Sequence, residues 1–297
     1  MQDIGFVTLV GSESTVRDAA IMLASLRTFG GDLSSAPVWV LHTGISLLET
    51  MQDFDEHVHQ LQIDLRPAPH AIPFGGKVSA CARAEDLLTG KVHSMVWISP
   101  RALIVRPPLG FQLDEAHRAA LRPVHIRNIG SLAASDPDPF WQAIYQYLEM
   151  PAPEQVVESY VDEQVIRPYF NTHLFAVDPS LGLMKNWMDH FQLLTADETF
   201  VTTFCADDLH RIFLHQALFS ALVSKQLEWE RVRLLPFEYS YPLHLHHEIP
   251  LQRQAATLNS LICPVYEEPF EIPQTLNGLP ADAPLAGWLG TQSKPLS

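Results

Sequence analysis

The sequence predicts an α/β fold, a mostly parallel central sheet between helices. Three observations carry that expectation. Short apolar runs alternate with stretches of helical periodicity, glycines and prolines punctuate the joints, and residues 93–108, HSMVWISPRALIVRPP, set two four-residue apolar runs around a polar break. Runs that short suit strands, not helices. In an open parallel sheet ligands sit beyond the carboxyl ends of strands, so Ser99 and Arg101 fall where chemistry is expected.

Taken in order, residues 6–10 read as a buried first strand, and Gly11-Ser12 as the turn into a helix with Ala20, Leu23, Ala24 and Leu26 on its apolar face. Gly30-Gly31 closes that helix. Residues 37–42 give a second strand, 46–54 a helix, and the alternation over 58–65 a third strand. Residues 77–88 follow as a helix, with Gly75-Gly76 before it and Gly90 after. Beyond it, 95–98 is a strand and 102–105 an edge-like one, bounded by Pro100, Pro107 and Pro108. Residues 122–127 read as a strand, 138–149 as a helix opened by Asp-Pro, and 169–177 as a strand with a polar interruption. Helices are expected at 181–194 and 209–227. From Leu234 the chain turns rich in Pro and His, so 1–297 is expected to be a single domain with 234–297 as a C-terminal wrapping segment.

Composition excludes several classes. The 297 residues carry 19 Lys and Arg against 34 Asp and Glu, a formal charge of −15 that repels a phosphate backbone. With no basic run in sight, nucleic-acid binding is not expected. The N-terminus lacks the basic start of a signal peptide, and no apolar stretch reaches membrane-spanning length. Cys81, Cys205 and Cys263 are far apart and without CxxC spacing, which argues against disulfides and a cysteine zinc site. A cytoplasmic location is the expectation.

Several motifs have plainer structural readings. GSEST after the first strand has one glycine where a dinucleotide fingerprint needs three, and no G-x-S-x-G string supports a hydrolase elbow. Asp136-Pro137-Asp138 spells D-x-D but reads as helix capping, and Asp53-Phe54-Asp55 as a solvated face. Asp207-Asp208 reads as a cap on the late helix, with one carboxylate in reach of an acceptor hydroxyl if that helix start faces a cleft. Asp162 and Glu163 read as surface charges, and Trp97 and Trp187 as core. In an extended strand His244 and His246 would share a face with Glu248, a two-His-one-carboxylate set and the first place to seek a metal. The plainer reading is imidazoles on a packed tail.

Four stretches in order, FVTLVGS, VWISPRALIV, YFNTHLFAVDP and IFLHQALFSALV, resemble the nucleotide-sugar glycosyltransferases of the GT-A fold. The resemblance implies a nucleotide-sugar donor, an acceptor not identified by it, and an Asp-x-Asp whose carboxylates hold a divalent Mg or Mn on the donor diphosphate. That motif falls on Ser99-Pro100-Arg101, so both carboxylates are absent. An Asn-x-Gly segment facing the sugars matches Asn171-Thr172-His173, and a late Asp-Gln matches His215-Gln216. The departures argue against the metal-dependent mechanism. A guanidinium can replace a metal on a diphosphate, which would give that role to Arg101, assisted by Lys77 of the preceding helix. Val10, Gly11 and Ser12 would receive the nucleotide, Asn171 and Gln216 would hydrogen-bond sugar hydroxyls with Thr172, His215 and Ser99 as further substrate-binding residues, and Asp207 or Asp208 would be the base. The alternative is a non-catalytic GT-A-like protein that acts by binding or assembly.

Overall fold

The computed structural model describes residues 2–44, 55–65 and 68–292. Its strands are β1 (Gln2–Val10), β2 (Val38–His42), β3 (Val58–Gln62), β4 (Val92–Ile98), β5 (Ala119–Leu121), β6 (Val157–Glu158), β7 (Val165–Ile166), β8 (Leu174–Val177), β9 (Val232–Leu234), β10 (Tyr239–Pro242) and β11 (Cys263–Val265). The helices are α1 (Glu13–Phe29), α2 (Gly75–Leu88), α3 (Pro139–Tyr147), α4 (Leu183–Ala196), α5 (Glu198–Phe204), α6 (Asp208–Gln226) and α7 (Leu285–Gln292). Seven strands form a sheet in the order β3-β2-β1-β4-β8-β5-β9. Pairings β1 with β2, β2 with β3 and β5 with β9 are parallel, and β5 with β8 is antiparallel. The expected mostly parallel α/β fold is the one observed.

The chain divides into two compact units. One comprises residues 1–4, 64–95 and 112–234, the other 5–63, 96–111 and 235–297. The second unit opens with residues 5–10 of β1, where Phe6, Val7 and Val10 are fully buried. Ser12 then starts α1 by a reciprocal pair: Thr15 N–H donates to Ser12 Oγ, and Ser12 N–H donates to Thr15 Oγ1. Val38, Val40 and Leu41 of β2 are fully buried, as an interior parallel strand requires. In the same unit, residues 102–105 do not become the expected edge strand. Leu103 N–H bonds the Pro264 carbonyl at 3.0 Å, Val105 N–H bonds the Ile262 carbonyl at 2.9 Å, and Ala102 makes one antiparallel bridge to Val265. Pro264 has no N–H to return, so the ladder cannot propagate.

In the first unit, α2 begins directly after Phe74, which stands in the left-handed region at φ 66°, and Gly75-Gly76 lie in its first turn instead of before it. A Cβ on Gly75 would come within 2.7 Å of Ala68 N, so only glycine fits there. The strand expected at 122–127 lies earlier, at β5. Pro123 ends it by lacking a donor, and the following residues pair instead with 169–170, Val124 N–H reaching the Tyr169 carbonyl. The strand expected over 169–177 shortens to β8 because Asn171 Oδ1 accepts His173 N–H at 2.7 Å and turns the chain. Asp138 opens α3 by accepting Trp141 N–H at 3.0 Å, as its sequence predicts. The helix α5, capped by Asp197, is missed by the sequence reading. Trp97 and Trp187 are core residues. The helix expected at 46–54 and the Asp53-Phe54 pair lie outside the described residues; Asp55 itself pairs with Arg27 at 2.5 Å.

Candidate functional site

The residues expected at a site fall into both units, and each group is built locally. In the second unit β1 delivers Gly11 and Ser12 to the exposed start of α1. A side chain added at Gly11 would meet nothing within 4 Å, so the approach to these backbone groups is open. The Ser12 hydroxyl is engaged with Ser14 and Thr15.

The break after β4 is held by its own side chains. Ser99 Oγ accepts the Arg101 N–H at 3.1 Å. Arg101 Nε donates to Asp18 Oδ2 at 3.0 Å, and its Nη1 donates to the Glu267 carbonyl. Asp18 is 1% exposed and also accepts the Phe270 N–H at 3.0 Å. Arg101 is therefore an anchor between α1 and the 267–270 segment, with Nη2 outside these bonds. Sequence reasoning missed Asp18, although its signal was present: a carboxylate four residues before Met22, on the buried face of α1.

The His244, His246 and Glu248 set, named as the first place to seek a metal, does not assemble. Residues 243–248 form a 3-10 helix opened at Pro242, not an extended strand, so His244 and His246 lose the shared face that alternation would have given them. His246 Nδ1 and the Tyr241 hydroxyl lie 2.7 Å apart, while His244 Nε2 pairs with Glu267 at 3.2 Å. Burial holds both imidazoles below their ordinary range. Among the described residues no three His, Cys, Asp or Glu side chains gather in a metal-holding group. Ser99-Pro100-Arg101 does not fit a divalent ion either, since it offers a guanidinium where carboxylates are needed.

In the first unit three of the expected residues meet. Lys77, in the first turn of α2, donates from Nζ to both the carbonyl and the hydroxyl of Thr172, the latter at 2.8 Å. Thr172 Oγ1 lies 3.1 Å from His215 Nε2, and His215 Nδ1 lies 2.8 Å from the Ile212 carbonyl. Desolvation lowers the Lys77 ammonium to about 8. Desolvation, then the Lys77 charge, hold His215 well below the imidazole range. Trp187 Nε1 donates to the His215 carbonyl, and the half-exposed Phe74 ring stacks on the imidazole at 4.3 Å. Sequence reasoning passed over Phe74, which no local pattern marks.

Asn171 sits beside this chain, its amide nitrogen 3.3 Å from His125 Nε2, and Gln216 is buried next to His215. Asp207 is the N-cap of α6. One of its oxygens accepts His210 N–H at 3.0 Å and the other faces His210 Nδ1 at 2.6 Å. These bonds, the backbone one foremost, hold its carboxyl below the usual range. Asp208 is exposed in the same turn. Asp162 accepts the Arg127 N–H and the Ser159 hydroxyl, so it is a loop anchor instead of a free surface charge.

Residues 6–224 match the family described as the Rhodobacterales glycosyltransferase domain. Comparison with curated protein sequences finds no match. Among solved structures the chain is similar to the galactosyltransferase LgtC, crystallised with donor and acceptor sugar analogs, at 10% identity and a TM-score of 0.55 over 97% of this chain and 95% of that one. It is also similar to the bifunctional glycosyltransferase WbbM, at 13% identity and a TM-score of 0.53 over 90% of this chain and 46% of that one. A mouse xyloside xylosyltransferase 1 aligns at 9% identity and a TM-score of 0.48, over 81% of this chain and 88% of that one. At such identities the likeness to LgtC and WbbM speaks for the fold alone, which is the GT-A type expected from the sequence.

Proposed function

Since the chain belongs to the Rhodobacterales glycosyltransferase domain family, we propose that it transfers a glycosyl group from a nucleoside-diphosphate sugar without the Asp-x-Asp metal. The observation that carries the metal-free part is Arg101, a cation at the position the family resemblance gives to the motif, with Nη2 unclaimed by Asp18 or Glu267. A guanidinium there donates charge-assisted hydrogen bonds to phosphate oxygens and offsets the charge of the leaving diphosphate. Gly11 and Ser12, at the open N-terminus of α1, receive the nucleotide.

Lys77 keeps one ammonium proton beyond the two given to Thr172, and that proton is its contribution to a phosphate. Asn171, Thr172, His215 and Gln216 offer hydrogen bonds to sugar hydroxyls. Of the two carboxylates considered as base, Asp208 is the freer, because Asp207 is spent on capping and on His210. The Asp18 carboxylate favours a second reading. It already neutralises Arg101, as suits a GT-A scaffold that binds or assembles without transfer.

A thermal-shift panel of UDP, GDP, CDP, dTDP and their common sugars, each with EDTA and with Mn, separates the readings. A nucleotide at about a hundred times its dissociation constant stabilises the folded chain by about 2.7 kcal/mol. A shift that survives EDTA is the expected result. No shift with any nucleotide would defeat the transfer reading, and a shift that needs Mn would defeat its metal-free form.

A further inference from the structure

A cavity of about 330 Å³ opens in the first unit, between the turn at residues 127–132, the start of α3 and the start of α6. It uses none of the residues assigned to the donor. Its floor is rigid. Gly130 N–H closes the turn on the Arg127 carbonyl at 2.6 Å, with Asn128 left-handed at φ 45°. Buried Trp141 donates from Nε1 to the Ile129 carbonyl at 2.5 Å, and Asp162 holds the Arg127 N–H. A Cβ at Gly130 would come to 3.0 Å from the Arg127 carbonyl and 3.1 Å from the Tyr169 ring, so the turn is also packed from behind.

The lining combines apolar surface from Ile129, Leu132 and Leu209 with both hydrogen-bond donors and acceptors. The Arg127 guanidinium and the Asn128 amide donate, the Asp136 carboxylate accepts, and the Ser135 hydroxyl does either; among the described residues none of these four groups has a protein partner. His210 gives Nδ1 to Asp207, which leaves Nε2 for a ligand. Leu209, 51% exposed, supplies an apolar face in the same wall. Arg127 stands against Asp136 and Asp138, so the cavity has no net positive charge with which to hold a diphosphate. Donors and acceptors set beside apolar surface, with no excess of positive charge, suit a neutral polyhydroxyl ring, and the volume lies at the lower end of the small-ligand range.

We propose that this cavity binds a neutral sugar ring, the end of the acceptor glycan. The transferase reading is needed only to assign that sugar to the acceptor. Saturation-transfer difference NMR on the full chain tests it with methyl β-D-galactopyranoside, methyl β-D-glucopyranoside and methyl β-D-xylopyranoside as probes, each alone and with UDP. At least one glycoside should show saturation that falls fivefold or more in both Asn128→Gly, which keeps the left-handed backbone while removing the amide, and Ser135→Trp at an exposed position, and that persists with UDP present. No saturation in the unaltered chain, an undiminished signal in either variant, or displacement by UDP would each overturn the proposal. A glycoside signal with no response in the nucleotide panel would remove the transferase reading and leave the cavity as a sugar site.

Discussion

Thr172 donates its hydroxyl proton to Nε2 of His215 across 3.1 Å, because Nδ1 is already committed to the Ile212 carbonyl. A carbonyl only accepts, so Nδ1 carries a proton, and desolvation with the nearby Lys77 charge keeps the ring neutral and leaves Nε2 as an acceptor. The folded pKa of His215 lies well below 6.5, whereas in the unfolded chain the ring protonates near that value. The unfolded state therefore binds the extra proton first as pH falls, and stability owed to His215 is complete above pH 6.5 and lost progressively below it. Urea midpoints at pH 7.5 and 5.5 should drop further for the unaltered chain than for His215→Gln. Equal drops would mean that His215 is protonated in the fold.

The pairing of Arg101 with Asp18 predicts an asymmetry. Asp18 is 1% exposed and the Arg101 side chain 28%, so removing the arginine strands a buried carboxylate while removing the aspartate leaves a cation that can reach water. Arg101→Ala should cost about 3 kcal/mol by denaturant unfolding and Asp18→Asn clearly less, with the double variant milder than the sum of the two. If Arg101→Ala changes stability by under about 0.5 kcal/mol, the pair is not formed in solution and the guanidinium is free for a phosphate.

Much of the fold was legible because it rests on local pattern. The apolar runs at β1, β2 and β4, the Asp138 cap and the periodicity of α6 each write their element into neighbouring residues. What failed was decided at a distance. Residues 102–105 lost their strand to the missing donor of Pro264, far along the chain, and 169–173 to a side-chain bond from Asn171 that competes with the ladder. The Lys77, Thr172 and His215 contact was foreseeable only as membership of one site, since residues 77 and 172 are brought together by packing of α2, not by spacing. The two histidines at 244 and 246 show the reverse error, a period of two read into a segment that winds as 3-10 helix.

Glu85 shows how α2 fixes α4. Its two carboxylate oxygens accept the N–H groups of Met184 and Lys185 at 3.0 and 2.9 Å, capping a helix that starts at Gly182 in the left-handed region and has no side-chain cap of its own. Glu85→Ala leaves the buried Met184 N–H and the part-buried Lys185 N–H without an acceptor and should cost about 1–3 kcal/mol in urea unfolding. Glu85→Gln retains one acceptor and should cost about half as much. An alanine variant as stable as the parent would show that water replaces the carboxylate.

Lys77 ties the proposed chemistry to pH. Desolvation places its ammonium at about 8, so it is charged at neutral pH and loses its proton within reach of mildly alkaline buffers. If its remaining N–H meets a donor phosphate, affinity for any nucleoside diphosphate found in the thermal-shift panel should decline as pH rises through about 8, the diphosphate itself being fully ionised there. Lys77→Arg should flatten that decline, because a guanidinium keeps its charge across the range, while Lys77→Met should weaken binding at pH 7 and leave little further pH dependence. Calorimetry at pH 7 and pH 9 on the three proteins gives the answer. A decline of the same size in Lys77→Arg would assign the titration to another group and confine Lys77 to holding Thr172.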